Sequence, residues 1–217
     1  MKYIVILLGL SDLYSKGGTG ELLMPLDGSI ARLSASLGFI EDEIAAGRCT
    51  DLHIYCFAGY DRANPAKPND RRKVALCDQI KRFIKENRPS WLRYLHTNPE
   101  VWGTFTEVRR ALLQAIGTDG IRPEDDDVVV VSGTNPSHRF RVGLIGRKLR
   151  PNKQWQLVVP RAYHAFTWRS RFMEVLSFFG TLVGMERTPS KIPRHSNERY
   201  GVEEKMPGTK QRPHLPP

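Results

Sequence analysis

Residues 127–149 of the chain read DVVVVSGTNPSHRFRVGLIGRKL, a stretch that decides the fold class. Four consecutive valines follow an acidic turn, a pattern typical of a strand buried on both faces of a sheet. A loop of small and polar residues comes next, and apolar side chains then follow at helical spacing at Phe140, Leu144, Ile145 and Leu149. A strand, a loop and a helix in this order form the repeating unit of parallel α/β sheets.

The same order occurs along the rest of the chain. Besides residues 127–131, the sequence predicts strands at residues 2–8, 52–58, 91–95 and 155–159. Each of these strands precedes a predicted helix, at residues 30–44, 74–84, 105–115 and 166–183. Because parallel strands joined by helices need right-handed crossovers, we predict one three-layer α/β domain with a mainly parallel, five-stranded sheet.

The composition changes after residue 185. Residues 186–217 contain seven Lys or Arg and four Glu, several prolines and few apolar side chains. Such a segment buries too little apolar surface to offset the entropy that ordering it would cost. We therefore predict a domain over residues 1–185 and a flexible or docked basic, proline-rich tail over residues 186–217.

The overall composition is that of an ordinary globular protein. The 217 residues are 40% hydrophobic and 26% charged, which excludes collagen-like, disulfide-framework and wholly disordered chains. Basic residues outnumber acidic ones by 33 to 23, for a net charge of +10. This sign favours anionic partners such as phosphates, nucleotides, nucleic acid or anionic lipid headgroups.

The cysteines and the apolar stretches of the sequence indicate in which cellular compartment the protein is expected. Cys49, Cys56 and Cys77 are odd in number and have no C-x-x-C spacing, and we expect Cys56 and Cys77 to be core residues. No stretch reaches the roughly 20 apolar residues that span a bilayer, and the apolar run after Met1 lacks a signal-peptide cleavage site. We expect a reduced, cytoplasmic protein without a membrane span.

The loops after the predicted strands carry the candidate chemistry. Ligands of open parallel sheets bind beyond the carboxyl ends of the strands, where loops and helix N-termini meet. Here these loops include GGTG at residues 17–20, SGTNPSHR at residues 132–139 and RAYH at residues 161–164. Glycines permit close backbone approach and arginines add fixed charge, so the sequence predicts an anion-binding pocket at this edge of the sheet.

Several features have ordinary structural explanations as well. Residues 17–20 fit neither the P-loop nor the dinucleotide fingerprint and are expected to form a mobile loop. His96, His138 and His164 follow separate strands, but no cysteine or paired carboxylate stands at ligand spacing. We therefore predict no metal site from the sequence.

The candidate acid/base groups also have alternatives. Thr104 and Glu107 have the spacing of a capping box, so Glu107 is as plausible a capping residue as a general base. His138 could equally be a first-turn helix residue that holds a backbone carbonyl. Ser132 lies in no G-x-S-x-G motif and is not an obvious nucleophile.

Residues 128–149 also resemble the strand, loop and helix of the YdcF/SanA/ElyC-like family. In that family a Thr/Ser-rich turn is followed by a histidine and, about one helical turn later, an arginine; His138 and Arg141 hold those places. The segment WGTFTEV, residues 102–108, is similar to an N-T-x-E-like element of the family, with Gly103 in place of the Asn. Two further features are similar to the family, Leu8-Gly9 at the end of the first strand and Arg32 on the first helix. The chain departs from the family after the second strand, where the family has Gly-Gly and this sequence has Ala58-Gly59.

The resemblance spans residues 1–184 and implies a Rossmann-like fold with a pocket for a nucleotide-type ligand, S-adenosylmethionine in one member. Several members are membrane-anchored, and we expect no such anchor in this chain. The family positions carry over to Gly9, Arg32, Gly59, Thr104, Glu107, Ser132, His138 and Arg141.

These positions suggest a division of roles. Backbone amides near Gly9 and Gly133 would hold an anionic group, and Arg32 and Arg141 would neutralise it. His164, in the loop after the fifth strand, is a further ligand-binding candidate. Glu107 and His138 are the candidate catalytic acid and base, for a hydrolase or transferase, and whether any reaction is catalysed stays open.

Two other function classes stay open. A nucleic-acid-binding protein would use the basic surface and tail, and residues 161–171 hold three aromatic residues among three arginines. The alternative for that segment is a helix start with its aromatic side chains packed inward. A non-catalytic module would instead use its tail to dock on another protein.

Overall fold

A parallel sheet lies at the centre of the chain. The computed structural model describes residues 1–8, 14–16, 22–25, 27–58, 75–99, 103–134, 136–162 and 168–183. The strands of these ranges are β1 (Lys2–Ile6), β2 (Tyr14–Lys16), β3 (Leu22–Pro25), β4 (Asp51–Cys56), β5 (Leu95–Thr97), β6 (Val128–Val131) and β7 (Gln156–Val158). The helices are α1 (Asp27–Ala45), α2 (Leu76–Asn87), α3 (Thr104–Gly117), α4 (Pro136–Leu149) and α5 (Trp168–Leu182).

The strand order of the central sheet is β5-β4-β1-β6-β7, and every neighbouring pair is parallel. Strand β1 is the middle strand, with Ile4 opposite His53 on one side and Val130 on the other. This arrangement confirms the predicted three-layer, Rossmann-like α/β fold. Strands β2 and β3 form a separate antiparallel pair that the sequence pattern does not predict.

The side chains of β1 alternate between two helical layers. Tyr3 and Val5 belong to the hydrophobic cluster formed with α1 and α2, whereas Ile4 and Ile6 belong to the cluster formed with α3 and α4. All four side chains are buried, as are the four valines of β6. Burial on both faces explains why these strands lack the polar alternation of a half-exposed strand.

The third strand of the central sheet begins later than the sequence predicts. A 3₁₀ helix occupies Pro89–Tyr94, and β5 begins only at Leu95. Pro89 presets the backbone for this turn, and Trp91, Leu92 and Tyr94 pack from it against the α1/α2 cluster. The strand prediction is therefore wrong for residues 91–94, which belong to the 3₁₀ helix and whose apolar side chains pack against the core.

Helix α5 packs on α4 and presents apolar side chains to solvent. The Lys148 ammonium donates to the Thr181 carbonyl oxygen at 2.6 Å, and Thr181 is buried. Phe172, Val175 and Phe179 are each more than half exposed, as is Phe140 of the predicted α4 stripe. No helix in the described ranges combines the length and the apolar character needed to cross a bilayer.

A carboxylate links the start of the sheet to the end of α1. Glu43 Oε2 accepts a hydrogen bond from the Tyr3 hydroxyl at 2.5 Å, and both Glu43 oxygens accept from the Arg48 guanidinium at 2.8 Å. The bonds from Arg48 and then from Tyr3 lower the pKa of Glu43 to about 2. Ionised Glu43 therefore stabilises the folded chain over the physiological pH range.

Glu43 makes the acid stability of the fold testable. Because its pKa is about 2 in the folded chain and near 4.5 in an unfolded one, its contribution is full above pH 4.5 and is lost as the pH falls towards 2. We expect Glu43→Gln to lower the free energy of unfolding at pH 7 and to flatten its fall between these pH values. Urea unfolding across this range measures the effect, with the exposed Glu124→Gln as the control. Identical pH profiles for the two variants would contradict the assignment.

Candidate functional site

The strand order of the central sheet defines one topological switch point. From β1 the chain first adds β4 and β5 on one side, and later adds β6 and β7 on the other. The connections that follow β1 and β6 therefore lead to opposite sides of the sheet. Open α/β sheets bind ligands at such a switch point, in the crevice beyond the carboxyl ends of the two strands. Of the loops singled out in the sequence, residues 132–134 and 136–139 are described, and they follow the carboxyl end of β6.

His138 is the central side chain of the described site. It lies in the first turn of α4 and is 1% exposed. Its Nε2 lies 3.3 Å from Thr104 Oγ1, and one Arg141 guanidinium nitrogen lies 3.4 Å from both ring nitrogens. The structure therefore brings together three of the residues that the sequence nominated from two separate segments.

Helix α3 supplies the second wall of this site. It begins at Thr104, as predicted, but its N-cap is Gly103 at φ 81°, a left-handed conformation that favours glycine. Thr104 is therefore the first helical residue and not the N-cap, so the expected capping box of Thr104 and Glu107, with Thr104 as its N-cap, does not form. Both side chains are instead buried, one turn apart on the same face of α3, and Thr104 contacts His138.

The cysteines near this site are not suited to nucleophilic catalysis. Burial raises the pKa of Cys56 well above its usual value, with further increases from Cys77 and Glu107, and burial raises the pKa of Cys77 to about 12. Only the thiolate is a strong nucleophile, so neither thiol is activated at neutral pH. Both side chains are core residues, as predicted.

The end of β6 is tied to its neighbours through small side chains. The Ser132 hydroxyl donates to the Ile6 carbonyl oxygen at 3.1 Å, and the Gly133 N–H donates to Ser36 Oγ at 2.7 Å. Ser132 and Gly133, both predicted to bind the ligand, therefore use these two groups in hydrogen bonds to β1 and α1 of the protein itself. Ser36, buried on α1 next to Leu33 and Leu37, is a site residue that sequence reasoning missed. Its signal in the sequence was a small polar residue beside the apolar helical positions.

Thr134 is a second residue that sequence reasoning missed. It is fully buried at the carboxyl side of β6, where its backbone pairs with Arg161 beyond β7. Its hydroxyl has no hydrogen-bond partner within the described part of the chain. A buried hydroxyl without a partner costs free energy, which makes it a group that a bound ligand would satisfy.

The remaining candidates divide into two groups. Arg32 is buried on α1, and its carbonyl oxygen lies beside Gly133. Gly9, Gly59 and His164 lie outside the described residues, so their predicted roles stay predictions. The same holds for residues 186–217 and for most of residues 161–171.

Comparison with known proteins adds no assignment. No protein-family model, no curated protein and no solved structure matches this chain.

Gly133 allows β6 and α1 to approach closely, and this generates a stability prediction. A Cβ at Gly133 would lie 2.2 Å from Ser36 Oγ and 3.0 Å from two backbone atoms of α1, whereas a Cβ at Gly143 of α4 meets nothing within 4 Å. We expect Gly133→Ala to destabilise the chain by about 1–3 kcal/mol. Gly143→Ala should stabilise it by about 0.5–1 kcal/mol, because alanine favours helices.

Chemical denaturation of both glycine variants measures the difference. Since the two substitutions add the same methyl group, only the local space distinguishes them. Equal stabilities would show that β6 and α1 do not approach as closely as described.

Proposed function

We propose that the chain binds an anionic, nucleotide-type small molecule in the crevice beyond the carboxyl ends of β1 and β6. The observation that carries this proposal is the contact of Arg141 and Thr104 with the buried His138 at the topological switch point. Charged and polar side chains are rarely buried unless they form hydrogen bonds or ion pairs with one another or with a bound ligand.

The groups at the crevice have complementary roles in this proposal. Arg141 is half-buried, and its planar guanidinium suits a phosphate or carboxylate group. The Thr134 hydroxyl supplies a hydrogen bond that the protein itself does not use within the described residues. Helix α4 begins next to both, so its first N–H groups add partial positive charge.

The proposed ligand class comes from charge and from the family resemblance together. A net charge of +10 favours an anionic ligand. The resemblance of the motif around His138 and Arg141 to the YdcF-like family implies a nucleotide-type ligand such as S-adenosylmethionine. If the bound molecule reacts, by hydrolysis or group transfer, Glu107 and His138 are the acid/base candidates. Both are buried at this end of the sheet, where a neighbouring charge would act with little screening by water.

A ligand screen by thermal unfolding tests the proposal. The purified chain is unfolded with ATP, S-adenosylmethionine, a phosphosugar or inorganic phosphate, alongside two variants of α4. Arg141→Ala removes the guanidinium beside His138, and Arg147→Ala removes an exposed one from the same helix with the same change in net charge.

We expect at least one compound to stabilise the parent chain and Arg147→Ala, by about 2.7 kcal/mol at 100 times its dissociation constant. The stabilisation should be lost in Arg141→Ala, whose unfolding without ligand shows whether the fold is retained. Stabilisation that both variants retain equally, or none by any compound, would contradict the proposal.

A further inference from the structure

A second polar cluster lies away from the crevice. His53 on β4, His96 on β5 and Asp119 beyond α3 each offer one ligand atom, and these three atoms lie within 4.8 Å of one another. Thr104 opens α3 and Asp119 follows its end, so roughly 20 Å of helix separates the two sites. This second cluster, called the edge cluster here, is therefore independent of the proposed ligand site.

Strand pairing places the two histidines of the edge cluster together. His96 is directly opposite Tyr55 in the register of β4 and β5, and His53 points to the same side of the sheet as Tyr55. The His53 and His96 rings stack with centroids 6.2 Å apart, and the Tyr55 ring stacks on His96 at 5.0 Å. These contacts hold both imidazoles in place.

Each member of the edge cluster is also oriented by another side chain. The Asp51 carboxylate lies 3.2 Å from His53 Nε2, and the Gln114 amide lies 3.0 Å from His96 Nδ1. The Tyr55 hydroxyl donates to Asp119 Oδ2 at 2.5 Å. A metal-bound imidazole typically donates its second ring N–H to an oxygen, and the Asp51 carboxylate offers this contact to His53. The Gln114 amide nitrogen faces His96 Nδ1, and rotation of the amide group would turn its oxygen to accept the Nδ1 proton. Carboxylates of metal sites typically accept an additional hydrogen bond, as Asp119 does.

The geometry and exposure of the edge cluster suit a small divalent ion. His96 Nε2 lies 3.7 Å from Asp119 Oδ2, close to the roughly 3.3 Å that two ligands span around a tetrahedral zinc ion. The side chains of His53, Asp119 and His96 are 16%, 10% and 31% exposed, so an ion can reach them from solvent. The carboxylates of Asp119 and Asp51 supply negative charge in a chain that is basic overall.

We propose that His53, His96 and Asp119 bind a divalent transition-metal ion, with zinc as the best chemical match. Two imidazoles and one carboxylate leave a coordination position for water or another ligand, an arrangement found in catalytic rather than closed structural zinc sites. This proposal revises the expectation of no metal, which considered only histidines at the strand ends. It stands whether or not the carboxyl-end crevice binds an anion.

Metal titration of the purified, chelator-treated chain tests this proposal. Zinc binding is measured by calorimetry, and Co²⁺ is used as a spectroscopic probe of imidazole and carboxylate coordination. His96→Gln and Asp119→Asn each remove one ligand, Gln114→Ala removes an orienting group, and Asp126→Asn removes an exposed carboxylate outside the cluster. Circular dichroism of each variant confirms that the chain is folded.

We expect one zinc ion per chain and visible Co²⁺ absorption that zinc displaces. Gln114→Ala should weaken zinc about 10–100-fold, the range typical of an orienting residue, and both ligand variants should weaken it further. Asp126→Asn should leave the affinity unchanged. No stoichiometric binding, or binding that survives in both ligand variants, would overturn the proposal.

Discussion

The fold depends on how closely the end of β6 approaches helix α1. The absence of a side chain at Gly133 lets the Ser36 hydroxyl accept the Gly133 N–H, at a place where one added carbon would collide with Ser36 Oγ and crowd the backbone of α1. This contact lies where the sheet changes direction, so it determines how α1 and the start of α4 flank the crevice. The positions of His138 and Arg141 follow, because both lie within the first two turns of α4.

Helix α3 connects the two polar regions of the molecule. Its first turn holds the buried Glu107 and Thr104, which contacts His138. Gln114 contacts His96 of the edge cluster, and Asp119 after the helix belongs to that cluster. Between its two ends, one face of α3 packs apolar side chains on the sheet. A helix anchored in this way keeps its two ends in fixed positions, so both proposed sites rest on the same packed element.

Much of the fold could be predicted from local patterns. The valines of β6 and the apolar first strand are buried on both faces because parallel strands lie between two helical layers, and this produces their uninterrupted apolar runs. The proximity of His138 and Arg141 also follows from sequence, since residues three apart lie on one helix face. Thr104 joins them because both segments start at the carboxyl end of the sheet.

Other features depend on contacts between distant segments, which no local pattern reveals. Thr104 and Glu107 have capping-box spacing, yet tertiary packing buries both and Gly103 caps the helix instead. The register of β4 against β5 brings His53 and His96 together, and the length of α3 brings Asp119 to them. Neither the register nor the helix length can be read from a local motif, so the sequence does not show that these three residues belong together. The outward apolar side of α5 likewise reflects how that helix packs on α4.

If the carboxyl-end crevice is the ligand site, the chain recognises its ligand through β6 and α4. Two-dimensional ¹⁵N–¹H spectra of the full chain, recorded while ATP or S-adenosylmethionine is added, locate the residues that a bound ligand contacts. We expect saturable shifts of the Thr134, His138 and Thr104 amides, while the His96 amide on the edge strand stays unchanged. Shifts confined to residues 186–217, or none at the ends of β6 and α4, would contradict the proposed ligand site.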